Sequence, residues 1–304
     1  MPRAKQRKAD AILTADWHLR DDVPACRTDD YAAAMWGKVA WILETANEHR
    51  CPLLIAGDLF NRPRPSYALV SKTIDELERI DSMIGVIPGQ HDLPQHRIGA
   101  VNESAFGILL QADSINDPFV GFPFGAELKP NELNTPMNLS RPLQHVALAH
   151  VMCYESMPTF PGAEKVGGTA QTILDKLKGF DLVVTGDNHI PFTYRAKDGR
   201  LLVNPGSLMR MTAAQVDHRP RVYLWYADTN EVEPVYLPIE SGVVSRDHIE
   251  RMNDRDERID AYVERMNTDY DVELSFGENL KQYLAANRVH SRVKQIIQEA
   301  RGCH

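Results

Sequence analysis

The chain has 304 residues, 34 Lys and Arg against 42 Asp and Glu, and a formal net charge of −8. That length, with 43% apolar residues, suits one large domain and a smaller appendage; no apolar run approaches the ~20 residues of a membrane span, and the charge argues against a wholly basic nucleic-acid coat without excluding a local arginine patch. Cys26, Cys51, Cys153 and Cys303 lie far apart with no C-x-x-C pair, so neither a disulfide framework nor a structural zinc site is indicated and a reducing cytoplasm is expected.

Residues 1–9 are basic and lack the apolar segment of a signal peptide, reading as a solvated tail. Ala11 to Ala15 is an apolar run that ends in Asp16-Trp17-His18. Asp29 is the expected N-cap of a helix to His49. Leu53 to Ala56 has the pattern of a strand buried on both faces, and Gly57 turns the chain so that Asp58 stands at its carboxyl end. After the proline-broken Arg62-Pro-Arg-Pro loop, Ser66 should cap a helix to about Arg79, with Leu69, Val70, Ile74 and Leu77 facing the core. Ile84 to Gly89 runs into Gln90-His91-Asp92, and a helix is expected over Ala100 to Gln111. Asp113 to Leu143, rich in Pro, Gly and Asn, reads as an irregular connection. His145 to Ala149 ends on His150, Thr169 to Leu177 reads as a helix, and Asp181 to Gly186 ends on Asp187-Asn188-His189. Leu201 to Val203, Arg221 to Tyr226 and Val232 to Ile239 follow without helices between them and are expected to be antiparallel. A boundary near Ser241-Gly242 divides residues 10–241 from a small α+β domain at 242–304, with a strand at Asp271 to Phe276 and one long helix from Glu278 to Arg301.

The strand ends share a chemistry. Each is tipped with Asp, His or an amide, and in α/β sheets the carboxyl ends of strands are where ligands are usually placed. Asp16 and His18 sit on one side of an extended segment, Asp58 carries two oxygens that can bridge two ions, and Gln90, His91, His150, Asp187 and His189 add amide, carboxylate and imidazole donors. Two divalent ions ~3.5–4 Å apart can activate water and neutralise a phosphoryl group.

The order of these motifs resembles the calcineurin-like metallophosphoesterases, whose pattern is D-x-H, G-D, G-N-H-D/E, H and G-H-x-H. Here it reads Asp16-Trp-His18, Gly57-Asp58, Gly89-Gln-His91-Asp92, His150 and Gly186-Asp-Asn-His189. Within that superfamily the chain looks most like the SbcD-type nuclease subunit of DNA end processing, through Gly57-Asp58-Leu-Phe with Arg-Pro-x-Pro-Ser and through Asn204-Pro-Gly-Ser207. The likeness covers roughly residues 10 to 240. It implies an α/β metallophosphoesterase fold, two mixed sheets sandwiched and flanked by helices, with metals at loops on one edge. By position, Asp16, His18, Asp58 and His189 should hold one ion, and Asp58, Gln90, His150 and Asp187 the other. His91 should face the phosphate as a catalytic group, oriented by Asp92. Gln90 and Asp187 depart from the family's Asn and His, and both fall on the second ion.

The resemblance implies a phosphodiesterase acting on DNA with two Mn²⁺ (or Mg²⁺), a homodimer, and an SMC-like ATPase partner. A phosphomonoesterase or protein phosphatase, and a non-catalytic DNA-end-binding subunit, are the competing readings. Arg62, Arg64, Arg210, Arg219 and Arg221 are candidates for a phosphate-backbone track, and His218 for a substrate contact. The simpler readings are solvated charge for the arginines, surface histidines at His49 and His96, and a core position for Trp17.

Overall fold

The computed structural model describes residues 7–116, 120–129, 145–158, 167–247, 249, 259 and 276–301. Two compact units are distinguished, Met1–Ser245 and Arg246–His304.

The larger unit is built on two five-stranded mixed sheets. The first takes β1 (Ala11–Thr14), β2 (Leu53–Ile55), β3 (Ile84–Val86), β11 (Arg221–Tyr226) and β12 (Glu231–Tyr236), in the order β12-β11-β1-β2-β3. β1, β2 and β3 are parallel, while β11 runs antiparallel to β1 and β12 to β11. The second sheet takes β4 (Gly121–Phe122), β5 (Val146–His150), β8 (Leu182–Gly186), β9 (Phe192–Arg195) and β10 (Leu201–Asn204), in the order β4-β5-β8-β10-β9. β6 (Cys153–Tyr154) and β7 (Gly168–Thr169) form a small separate pair.

The apolar runs are continuous because the inner strands pack on both faces, whereas the edge strands β9 and β12 do not. Ala11, Leu13, Leu54 and Ala56 meet Val146, Leu148, Val184 and Val203 between the sheets, with Trp225 among them. The alternate residues Ile12, Leu53 and Ile55 turn outward onto α1 (Tyr31–His49), α2 (Tyr67–Leu77) and α3 (Ala105–Gln111). Ala147, Ala149, Val183 and Leu202 pack against α4 (Ala170–Lys176) on the far side. The result is the helix-flanked two-sheet sandwich expected from the resemblance.

Local expectations fare unevenly. Ser66 caps α2, accepting from Leu69 N at 3.1 Å, and Leu69, Val70 and Leu77 are buried in the core. α1 is capped by Asp30, which accepts from Ala33 N at 3.0 Å, and not by Asp29. Asp29 is instead held by Arg27, so the next carboxylate takes the cap. The helix expected over Ala100 to Gln111 is a 3₁₀ segment, Ile98–Glu103, then α3, because the Ser104 side chain caps a fresh start by accepting from Gly107 N. β10 is parallel to β8 and antiparallel to β9, so the all-antiparallel reading holds for β11 and β12 but not for β10. His49 is buried, accepting from Ala9 N at 2.9 Å.

In the smaller unit the single long helix is two, α5 (Phe276–Ala286) and α6 (Ser291–Arg301). Asn287 Nδ2 turns back to the Tyr283 carbonyl at 3.1 Å and the His290 carbonyl accepts from Lys294 N, so one helix ends and the next begins. Most of the expected strand at Asp271 to Phe276 lies outside the described residues.

Candidate metal centre

Parallel pairing puts the chemistry on one edge. Ile55 stands opposite Thr14 and His150 opposite Gly186, so the chain leaves β1, β2, β5 and β8 on the same side. The loops are then stitched together: Asp16 N donates to Gly57 O, His18 N to Asp58 O and Leu208 N to Asp16 O, at 3.0, 2.9 and 3.1 Å.

Two glycines set how closely the donors approach. At Gly57, with φ +95°, a Cβ would sit 2.1 Å from His150 Nδ1; at Gly89 one would sit 2.1 Å from Asp58 Oδ1. Asp16, His18, Asp58 and Asp187 have φ of 50°, 48°, 49° and 85°. Left-handed backbone costs a non-glycine residue of order 1–3 kcal/mol. Its concentration at the strand ends means the surrounding fold holds these side chains in place against local preference.

Asp58 is at the centre. Its Oδ1 accepts from His91 N at 2.9 Å. Its Oδ2 is buried without a hydrogen-bond partner, 3.7 Å from His18 Nε2 and 3.5 Å from His150 Nε2. His18 Nε2 and His189 Nε2 face each other at 3.1 Å, and Asp187 N donates to Asp16 Oδ1 at 3.1 Å. Gln90 spans the other half: Oε1 lies 2.6 Å from His150 Nε2, and Nε2 donates to Asp187 Oδ1 at 2.7 Å. The donor atoms of Asp16, His18 and His189 lie within 4.8 Å of one another, as do those of Asp16, Asp58 and His150, and of His18, Asp58 and His91.

The electrostatics call for positive charge. Burial pushes the Asp16 carboxyl well above its usual range, and burial pushes the His18 and His189 imidazoles below theirs. Burial also opposes charge at His150, yet Asp58, Asp16 and Asp187 around it hold its pKa up at about 10. Burial likewise opposes charge on Asp58, but His150 outweighs it and keeps the carboxylate ionised. His150 Nδ1 faces the Ala56 carbonyl at 2.7 Å, so Nδ1–H donates there and Nε2 points at Asp58 and Gln90. Here a lone imidazole proton faces several oxygens. Divalent cations fit the same acceptors: carboxylate and amide oxygens with imidazole nitrogens are the donors such ions take.

The structure thus gathers Asp16, His18, Asp58, Gln90, His91, His150, Asp187 and His189. It separates other candidates from them. Asp92 does not orient His91: its carboxylate accepts from Gly89 N, Leu59 N and Phe60 N at 3.0, 3.1 and 2.8 Å. These amides are left bare by the turn after β2 and the turn after β3, and the Asp92 carboxylate is the acceptor that reaches both. Burial, then the charge of Asp58, raises its pKa to about 7. His91 is oriented by the Asn61 carbonyl, 3.0 Å from Nδ1.

Arg210 is buried, donating to the carbonyls of Val216 and Glu240 at 3.3 and 2.6 Å, and does not line a backbone track. His218 Nε2 is engaged with the Ser207 carbonyl at 2.8 Å, bracing the loop after β10 instead of awaiting substrate. Arg219 and Arg221 lie over the Tyr236 ring, 4.3 and 4.7 Å from its centroid. Arg62 and Arg64 are exposed and paired with Asp22 and Glu103.

Some residues named in the sequence only inside a motif, or as surface positions, support the cluster. Asn204 Nδ2 donates to the carbonyls of Asn188 and Ile190 at 2.7 and 2.8 Å, and Asn188 Nδ2 to Cys153 O at 2.7 Å, fixing the loop that presents Asp187 and His189. His96 Nδ1 lies 3.0 Å from Gln90 O, and the Phe124 ring 6.4 Å from that of His150. His96, Arg97 and Phe124 line an adjoining open cleft of about 620 Å³.

No protein-family profile and no curated protein matches the chain. Among solved structures it is similar to Vps29 from Entamoeba histolytica complexed with zinc (14% identity, 75% of this chain and 97% of that one, TM-score 0.35). A hypothetical protein from Pyrococcus horikoshii is similar at 13% identity, over 80% and 94% of the two chains, with TM-score 0.41. A metallophosphoesterase from Sphaerobacter thermophilus is similar at 12% identity, over 76% and 89%, with TM-score 0.37.

Proposed function

We propose that the chain is a two-metal phosphoric ester hydrolase whose bridging ligand is Asp58. The observation that carries this is the buried, unpartnered Asp58 Oδ2 between the imidazoles of His18 and His150. Asp16, His18, Asp58 and His189 would hold one ion; Asp58, Gln90, His150 and Asp187 the other. Bound there, the ions supply Lewis acidity and a nucleophile at neutral pH for in-line displacement at phosphorus. The phosphoryl part of the reading rests on the order of the motifs.

The chain's own groups do the rest. His91 Nδ1–H donates to the Asn61 carbonyl, which turns Nε2 toward the centre. A proton on that nitrogen would hydrogen-bond charge growing on the phosphoryl oxygens and pass to the leaving oxygen. Gln90, held between His150 and Asp187, fixes their rotamers. The cleft at His96 and Phe124 accommodates the organic part of the ester.

The finer reading is a DNA exo- or endonuclease of the break-processing type, a homodimer with an SMC-like ATPase. Its support is the likeness around Gly57-Asp58-Leu-Phe, together with exposed Arg62 one residue beyond the carbonyl that orients His91. The three carboxylates and the amide oxygen favour Mn²⁺ or Mg²⁺ over Zn²⁺. A small phosphoester is the second reading, favoured because Arg62 and Arg64 are already paired with carboxylates and Arg210 with carbonyls. Incubation with Mn²⁺ and, in parallel, labelled single- and double-stranded DNA, bis-p-nitrophenyl phosphate and p-nitrophenyl phosphate separates them. Cleavage of DNA and the diester is expected. Turnover of the monoester alone would replace the nuclease reading with the small-ester one.

A further inference from the structure

Away from the metal centre, Arg27, Lys38 and Arg210 are buried side by side, 9%, 6% and 6% exposed. With Asp29, Ile239 and Glu240 they line a cavity of about 290 Å³. Burying a charge is costly unless it is paired and hydrogen-bonded, so each cation has to be traced to its partners.

Arg27 Nε donates to Asp29 Oδ1 at 2.8 Å, its Nη2 pairs with the other oxygen, and Nη1 donates to Arg210 O at 3.1 Å. Among the described residues, Arg210 hydrogen-bonds only neutral carbonyls, those of Val216 and Glu240. Lys38 has neither a hydrogen bond nor an ion pair among the described residues; its stem is buried and its ammonium reaches the solvent of the cavity. Its pKa falls to about 8, through burial first and then the charges of Arg27 and Arg210, with Asp29 and Glu240 only partly opposing. Asp29 is spent on Arg27, and Glu240 is exposed at the rim, where water screens it. A surplus of positive charge therefore faces the solvent-filled space of this cavity. A cavity of about 290 Å³ holds an oxyanion with several waters, at ~30 Å³ for each water.

Snorkelling alone would carry the lysine stem along α1 and leave its head in open water. Here the head shares its space with two guanidiniums, from the loop after β1 and the loop after β10. Guanidinium and ammonium donors together match a phosphate group.

We infer that the cavity between Arg27, Lys38 and Arg210 binds a phosphate dianion, either free or as the terminal phosphate of a nucleotide. This stands independently of the metal centre. Calorimetric titration of the metal-free full chain, in phosphate-free buffer, tests it with inorganic phosphate, deoxyadenosine 5′-monophosphate and deoxyadenosine. Phosphate should bind once per chain, and Lys38→Met should weaken it by about tenfold or more, the loss of a charge-assisted hydrogen bond. Deoxyadenosine should not bind. A nucleotide tighter than phosphate identifies the nucleotide as the source, and equal or weaker binding identifies the free ion. Asp58→Asn should leave the affinity unchanged. Undiminished binding in Lys38→Met, loss in Asp58→Asn, or no binding to wild type overturns the site. Should Lys38→Met not fold, amine acetylation of the wild type followed by mass spectrometry decides: phosphate should protect Lys38, and equal labelling with and without it overturns the inference.

Discussion

His91 and Asp92 are sequence neighbours with separate tasks. His91 projects into the donor cluster from an amide held by Asp58 Oδ1, while Asp92 turns inward onto the amides of Gly89, Leu59 and Phe60. His91→Ala should lower hydrolysis by roughly 10²–10⁴-fold while metal content stays the same; loss of bound metal would make His91 a ligand. Asp92→Ala should instead destabilise the fold, by about 3 kcal/mol or more, because buried amides lose their acceptor. Urea denaturation of the metal-free protein measures it, and a change under ~1 kcal/mol would contradict the bracing role. From sequence alone the two were inseparable, since a D after an H reads the same whether it faces the imidazole or the backbone. The donors of the cluster were legible because they follow apolar strands. Asn188 and Asn204 stood inside the motifs, but their bracing role was not legible, since an amide bonding to backbone carbonyls leaves no pattern.

Lys38 gives a pH test at the same scale. Its folded pKa of about 8 lies below the usual lysine value. Between these values the unfolded chain binds more protons, so this residue's effect on stability becomes more favourable as pH rises above about 8. Lys38→Met should therefore be more stable than wild type below that pH in phosphate-free buffer, with the gap closing as pH rises. Urea midpoints across pH 7 to 10 check this; a constant gap would mean the amine is not buried as a cation.

At the scale of elements, α2 rests on Ser66. Its hydroxyl accepts from Leu69 N and donates to Asp21 Oδ1 at 2.6 Å, and its amide donates to Asp21 Oδ2 at 2.9 Å. Ser66→Ala should cost about 1 kcal/mol, the usual worth of an N-cap, read from thermal or urea unfolding. Asp21 was not legible as the cap's partner because it lies far away in sequence, on the loop after β1. Element edges were misread wherever a short polar side chain competes for backbone: Asp30 beside Asp29, Ser104 within an apolar helical pattern, Asn287 within another. β10 was expected to be antiparallel because no helix separates it from the strands that follow, yet it pairs parallel with β8 and antiparallel with β9, a strand not recognised from the sequence.

At the scale of the molecule, two sheets deliver their strand ends to one edge, and the donors there carry more negative charge than the protein neutralises. Asp187 adds a third carboxylate to Asp16 and Asp58, so two divalent ions would leave a nominal charge of about +1. Asp187→Ala should lose one ion and most activity, whereas Asp187→His should keep both and tolerate Zn²⁺ better. Elemental analysis after Mn²⁺ loading and desalting tests the centre most directly. Wild type should retain two Mn²⁺ per chain, and Asp58→Asn fewer than one together with loss of diester hydrolysis. A single ion in wild type at saturation, or full retention in Asp58→Asn, would contradict a two-ion centre bridged by Asp58.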